Sequence, residues 1–162
     1  MERFLVALDN SESSSRVILY LIRVLAGTPH VRLILFHVLP TLSPDFLKRD
    51  DMRHIELMHA EHPGLRGYFW AREDESSMEQ NFEEARHTLI HGGFSEAQLS
   101  TAFTVQSGEV AEILIKETRK HQCSTLVVGR RGLSRLKELF LGSVSKSVTK
   151  LARGITVWIV DT

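Results

Sequence analysis

With 162 residues, 43% of them hydrophobic and 25% charged, the chain can bury one core and is too short for two ordinary domains, so residues 1–162 read as one domain. No apolar run approaches a membrane span, and the opening "MERFLVALDN" lacks the apolar stretch and cleavage site of a secretory leader, so the expected compartment is the cytoplasm. Twenty Lys and Arg balance twenty Asp and Glu, and the single cysteine, Cys123, excludes an internal disulfide and a Cys-rich zinc site.

In chain order, short β-rich runs alternate with helical stripes, the pattern of a parallel sheet with crossover helices. A strand is predicted over residues 3–8, followed by a helix capped by Ser11 whose core stripe is Val17, Leu21, Val24 and Leu25. The second strand, 31–38, is a nearly continuous apolar run, as a strand covered on both faces requires.

Residues 40–78 break the alternation. Pro40, Pro44, Pro63, Gly64 and Gly67 predict a long loop, with a helical piece in "SPDFLKRDDMRHIELMHA". The adjacent aromatics Tyr68, Phe69 and Trp70 argue against disorder. They can pack on the parent domain, form a subunit contact or serve as a lid.

A helix with Phe82, Ala85 and Leu89 on its core face comes next, then a strand over 99–105. "SGEVAEIL" starts another helix after Ser107 and Gly108, with Glu109 in its first turn and Val110, Ile113 and Leu114 buried. Cys123 is a structural thiol before the strand 124–129, and Val144, Val148, Leu151 and Ala152 make the last stripe ahead of a strand over 155–160. Five strands and four main helices with right-handed crossovers give an open, doubly wound α/β sheet.

In such a sheet, ligands bind outside the carboxyl ends of the strands where the strand order reverses. Asp9 follows one strand there and Gly129 closes another. Residues 116–153 carry ten Lys and Arg against two acids, whereas residues 41–115 carry fourteen acids against six bases. This segregation fits an anion site, a nucleic-acid face or two segments that meet in the fold.

"VVGRRGLSRLKELFLGSVSKSV" sets Gly129, Gly132 and Gly142 ahead of Ser143. Glycine lets backbone approach an anion closely and adopt positive φ, and the helix beginning near Ser143 offers unpaired N–H groups. The glycines can equally end a strand, turn the chain and end the short helix "LSRLKELF". Spacing alone leaves both open; the P-loop and dinucleotide fingerprints are absent.

The pattern G-x2-G-x9-G-[ST] at these residues resembles the ATP-binding signature of the universal stress protein family. "FLVALDNSESSSRVI", "LILFHVLP" and the stretch from Ser107 to Val148 also resemble that family in order and spacing. The resemblance implies a Rossmann-like sheet of order 3-2-1-4-5 and a homodimer joined through the last strand, Ile155 to Val160. It implies an ATP site, with or without magnesium. Asp9 would contact ribose or base, with the Ala7 and Leu8 backbone beside it, and the Val38 main chain would read adenine. Gly129, Gly132, Gly142, Ser143, Val144 and Ser145 would hold ribose and phosphate, with Val128 and Arg130 beside the first glycine. Arg130 and Arg131 replace the pairing common in the family, and Trp158 stands in the last strand as a dimer anchor or a monomer core residue.

Catalysis finds little support. Asp9 is the one acid placed at the crevice, so ATP hydrolysis is expected to be slow or absent. His87 and His91 at helical spacing, and His54, His59 and His62 in the 40–78 segment, lack a zinc-enzyme pattern. His37 reads as a satisfied core or crevice residue. Arg130, Arg131, Arg135 and Lys137 lack the interleaved aromatics of a nucleic-acid site. Two functions remain: an ATP-binding regulatory protein, and a nucleotide-independent dimeric interaction module.

Overall fold

The computed structural model describes residues 1–130 and 142–161. Five parallel strands form one sheet in the order β3-β2-β1-β4-β5. They are β1 (Glu2–Ala7), β2 (Val31–Leu39), β3 (Leu99–Val105), β4 (Thr125–Gly129) and β5 (Thr156–Val160). Each predicted strand is present, with its ends within about one residue.

The helices are α1 (Glu12–Leu25), α2 (Arg49–Glu61), α3 (Arg72–His91), α4 (Val110–Lys120) and α5 (Ser143–Leu151). Alternation along β1 splits the core. Phe4, Val6 and Leu8 pack with Val17, Ile18 and Leu21 of α1 and with Met78, Phe82 and Leu89 of α3. Leu5 faces the other way, toward Leu114 and Ile115 of α4 and Val148 of α5. This two-sided burial explains the apolar runs in the central strands. Among the described residues, no helix is long and apolar enough to cross a membrane.

The predicted stripes need two corrections. Val24 is 45% exposed because Val17, Ile18, Leu21 and Leu25 form the buried arc of α1 and put Val24 on its rim. Leu151 is equally exposed, at the last position of α5, beyond the helix's buried Val148. Glu109 is the residue before α4, one position earlier than expected. Ser11 precedes α1, but its hydroxyl makes no capping bond to the helix.

The 40–78 segment folds onto the core. It contains α2, two short 3-10 turns and the start of α3, which begins at Arg72 rather than near Met78. Ile55 and Trp70 are almost fully buried within the α1/α3 half of the core. Trp70 Nε1–H donates to Glu75 Oε2 at 2.8 Å, and His54 Nε2 lies 2.7 Å from the same oxygen. Glu75 is thus a buried acid with two partners, as a desolvated carboxylate requires. Cys123 is buried too, and burial pushes its thiol above the usual range against the opposing field of Arg3. Trp158 is half-buried, edge-on to Phe4 and Tyr20, so at least part of its ring belongs to the monomer core.

Candidate functional site

β1 lies between β2 and β4, so the chain leaves the carboxyl end of β1 toward one face of the sheet and that of β4 toward the other. The gap that opens between them is a crevice of about 400 Å³. Ala7, Leu8, Asp9, Val38, Val128, Gly129, Gly142, Ser143, Val144 and Ser145 all line it. Arg130 does not: its guanidinium pairs with Asp161 near the end of the chain. Gly132, Arg131, Arg135 and Lys137 lie outside the described residues.

Asp9 is set by the first turn of α1. Its N–H donates to Ser14 Oγ at 2.8 Å, and that hydroxyl donates back to Asp9 Oδ1 at 2.9 Å. Ser11 adds a backbone N–H at 3.0 Å and its hydroxyl to the same oxygen. Oδ1 is therefore saturated, whereas Oδ2 has no hydrogen-bond partner among the described residues. The Ser11 expected to cap α1 instead orients the carboxylate beside it.

The opposite side is built by the start of α5. Gly142 N–H donates to Arg130 O at 2.9 Å, and Arg130 N–H donates to Val160 O at 2.8 Å, which ties the helix start to β4 and β5. Ser145, buried to 3%, donates its hydroxyl to Gly129 O at 2.7 Å. Its side chain is a clamp between β4 and α5, and what it can offer a ligand is backbone. Ser143, Val144 and Ser145 hold the first-turn N–H groups, which have no intrahelical acceptor and favour negative charge. Gly142 has φ −56°. The glycine there provides bare backbone, not left-handed geometry.

Several lining residues were not legible. Phe36, Val110 and Leu114 give the crevice an apolar wall, and Asn10, Ser13, Ser14 and Asp74 add polar groups. The serine cluster after Asp9 was a visible signal for Ser14. Asp74 had none, because it reaches the crevice only through the fold of the 40–78 segment. His37 lies with Nδ1 2.8 Å from Leu8 O. Burial pushes its imidazole below the usual range, against the opposing effects of the Leu8 hydrogen bond, Asp9 and Asp74. A carbonyl only accepts, so Nδ1 carries the hydrogen and neutral His37 keeps Nε2 as an acceptor.

The histidines of α2 and α3 have other partners. His87 and His91 stack with ring centres 4.0 Å apart, His59 Nε2 lies 2.9 Å from Tyr68 O, and His54 serves Glu75. No group of three metal-ligating side chains exists among the described residues.

The sequence profile described as "Universal stress protein family" matches residues 1–161. The universal stress protein YxiE of Bacillus subtilis is 44% identical over 46 residues, a match spanning 28% of this chain and 31% of that protein. Among solved structures, the universal stress protein of Archaeoglobus fulgidus in complex with dAMP superposes with a TM-score of 0.65 at 16% identity, covering 99% of this chain and 98% of that one. A universal stress protein in complex with cAMP gives a TM-score of 0.65 at 22% identity, covering 99% and 97%. At these identities the superpositions establish a common fold.

Proposed function

The chain belongs to the universal stress protein family, and from that premise we propose that it is an adenine-nucleotide-binding regulatory protein, with ATP, with or without magnesium, as its ligand. One observation carries the reading: an apolar wall, an oriented carboxylate and the open N-terminus of α5 meet in one crevice. About 400 Å³ falls within the range of small-ligand pockets. Val38 and Val110, backed by Leu114, suit a flat base, Asp9 suits ribose hydroxyls, and the N–H groups of Ser143, Val144 and Ser145 suit phosphate. Relatives of the same fold solved with dAMP and cAMP support an adenine nucleotide.

In this reading the occupied crevice is the signal. Hydrolysis is slow or absent, since the site's acids serve as binding groups and nothing identified in it activates water. The protein forms a homodimer through β5, an edge strand of the sheet that carries Trp158. The alternative, a nucleotide-independent dimeric interaction module, draws on Arg130, whose guanidinium pairs with Asp161 instead of lining the crevice.

The test is calorimetric titration of nucleotide-stripped protein with ATP and magnesium, repeated on Gly142→Val. Saturable binding near one ATP per chain, lost in the variant while the melting transition persists, supports the proposal. No heat and no shift in melting temperature would select the interaction module.

A further inference from the structure

We infer that copies of this chain associate head to tail, the basic end of α4 and α5 in one copy seating on the acidic groove between α1 and α3 of the next. This contact is separate from the nucleotide crevice and from the β5 edge.

The charge segregation visible in the sequence is not cancelled by the fold. α1 and α3 cover one face of the sheet and α4 and α5 the other, so the acidic and basic segments do not meet within the chain. α3 carries six acids against two bases, whereas α4 and α5 together carry five bases against two acids. Of those two acids, Glu117 is buried and has Lys120 Nζ 2.9 Å away. The basic residues do not serve the crevice either. α4 runs back from the carboxyl end of β3, which puts Lys116, Arg119 and Lys120 at the far end of the sheet. There Arg119 Nη2–H donates to Arg153 O at 3.0 Å, joining the end of α5 with its Lys150 to the same patch. None of these residues lines the crevice.

On the other face, a groove of about 490 Å³ runs between α1 and α3. Leu8, Ile18, Leu19 and Ala85 give it apolar walls, Asp9, Glu12 and Glu84 give it carboxylates, and among the described residues no base lines it. Glu12 is partly answered by Arg16 at 3.8 Å. Leu19 is 59% exposed in this groove, and Leu151 is 45% exposed between Lys150 and Arg153. An apolar side chain flanked by cations therefore matches an apolar groove rimmed by carboxylates. The formal net charge is zero at pH 7, so no overall repulsion opposes the approach of two copies. A nucleic-acid strand would answer the cations but leave Leu151 in water and the groove unused. Because the contact joins unlike surfaces, it continues from copy to copy unless rotation closes a ring.

Sedimentation velocity of the full chain tests this, over a concentration series at about 0.02 M and about 0.5 M salt, where screening lengths differ severalfold. At low salt the average mass should rise with concentration beyond the species that persists at high salt. Lys150→Gln with Arg153→Gln removes two exposed cations, keeps Arg153 O for Arg119, and should weaken the association about two- to thirtyfold. Glu12→Gln with Glu84→Gln should weaken it similarly, and Leu151→Ser severalfold with no change of charge. Arg49→Gln with Arg72→Gln alters net charge as much as the first pair but on the acidic layer, and should leave association equal or tighter. Constant mass at low salt, growth that survives high salt, or equal weakening by the two cation-removing pairs overturns the inference. Binding of an anionic oligonucleotide that is lost in Lys150→Gln with Arg153→Gln, without any growth in mass, overturns it in favour of a nucleic-acid face. ATP titration reads the crevice independently, since none of the substituted residues lines it.

Discussion

Asp9 and Ser14 close a two-bond ring: the Asp9 N–H donates to the Ser14 hydroxyl at 2.8 Å, and that hydroxyl returns its own hydrogen to Asp9 Oδ1 at 2.9 Å. Backbone and carboxylate are fixed together, so the end of β1 and the first turn of α1 move as a unit. Preorganisation of this kind matters because a ligand need not then bear the cost of ordering the group that receives it.

Ser14→Ala breaks the ring at both bonds while leaving Ser11 on Oδ1. The expected loss of stability is about 1 kcal/mol, the usual size for a partly exposed hydrogen bond. Nucleotide affinity should fall about three- to tenfold through a looser Asp9. Urea denaturation and ATP titration of the same variant separate the two effects. Unchanged affinity would dismiss the ring as a positioning device.

Ser143 and Ser145 are predicted to behave oppositely. Ser145→Ala orphans the Gly129 carbonyl that its buried hydroxyl satisfies at 2.7 Å, for a cost of about 1–3 kcal/mol. Ser143→Ala removes only a hydroxyl at the mouth of the crevice, so stability should hold within about 0.5 kcal/mol while phosphate binding weakens. Denaturation midpoints compared with ATP affinities decide the assignment. Equal stability losses in the two variants would contradict it.

Trp70 and Glu75 are predicted to fasten the 40–78 segment. Trp70→Ala empties a fully buried site and strips Glu75 of a donor, for about 3–5 kcal/mol. Trp70→Phe keeps most of the volume but leaves Glu75 dependent on His54, and should cost less, about 1–3 kcal/mol. Limited proteolysis should then cut within 40–78 before the sheet unfolds. Cleavage elsewhere first would show that the segment is held by other contacts.

The sheet was legible because its strands are covered on both faces and their apolar runs leave no competing period; Arg3 to Leu8 and Ser124 to Gly129 are typical. Helix faces were less so, since period alone could not decide whether Val24 or Ile18 belonged to the buried arc of α1. At the site, Asp9, Val38, Gly129 and Gly142 were readable because local order places them at strand ends and a helix start. Asp74 depends on how α2 and Trp70 dock. The pairing of Arg130 had no signal for a related reason: its partner Asp161 is 31 residues away and beside it only through β4–β5 pairing. Contacts between distant segments leave no period or motif in the sequence.

His37 gives the last prediction, and its sign follows from burial. The folded imidazole titrates below the usual value of about 6.5, while the unfolded one does not. Above that value neither state holds the proton, and the contribution of His37 to stability is at its maximum. As pH falls below it, the unfolded chain takes up the proton first, so stability drops until the folded ring titrates as well. His37→Asn keeps a donor available for Leu8 O and removes this titration. Wild type should therefore lose more stability than His37→Asn between pH 7.5 and pH 5.5, with the difference developing only below about pH 6.5. Parallel urea midpoints for the two proteins across that range would mean that His37 titrates as it does in the unfolded chain. Since Nε2 accepts only in the neutral ring, nucleotide affinity should weaken over the same interval in wild type and stay flatter in the variant.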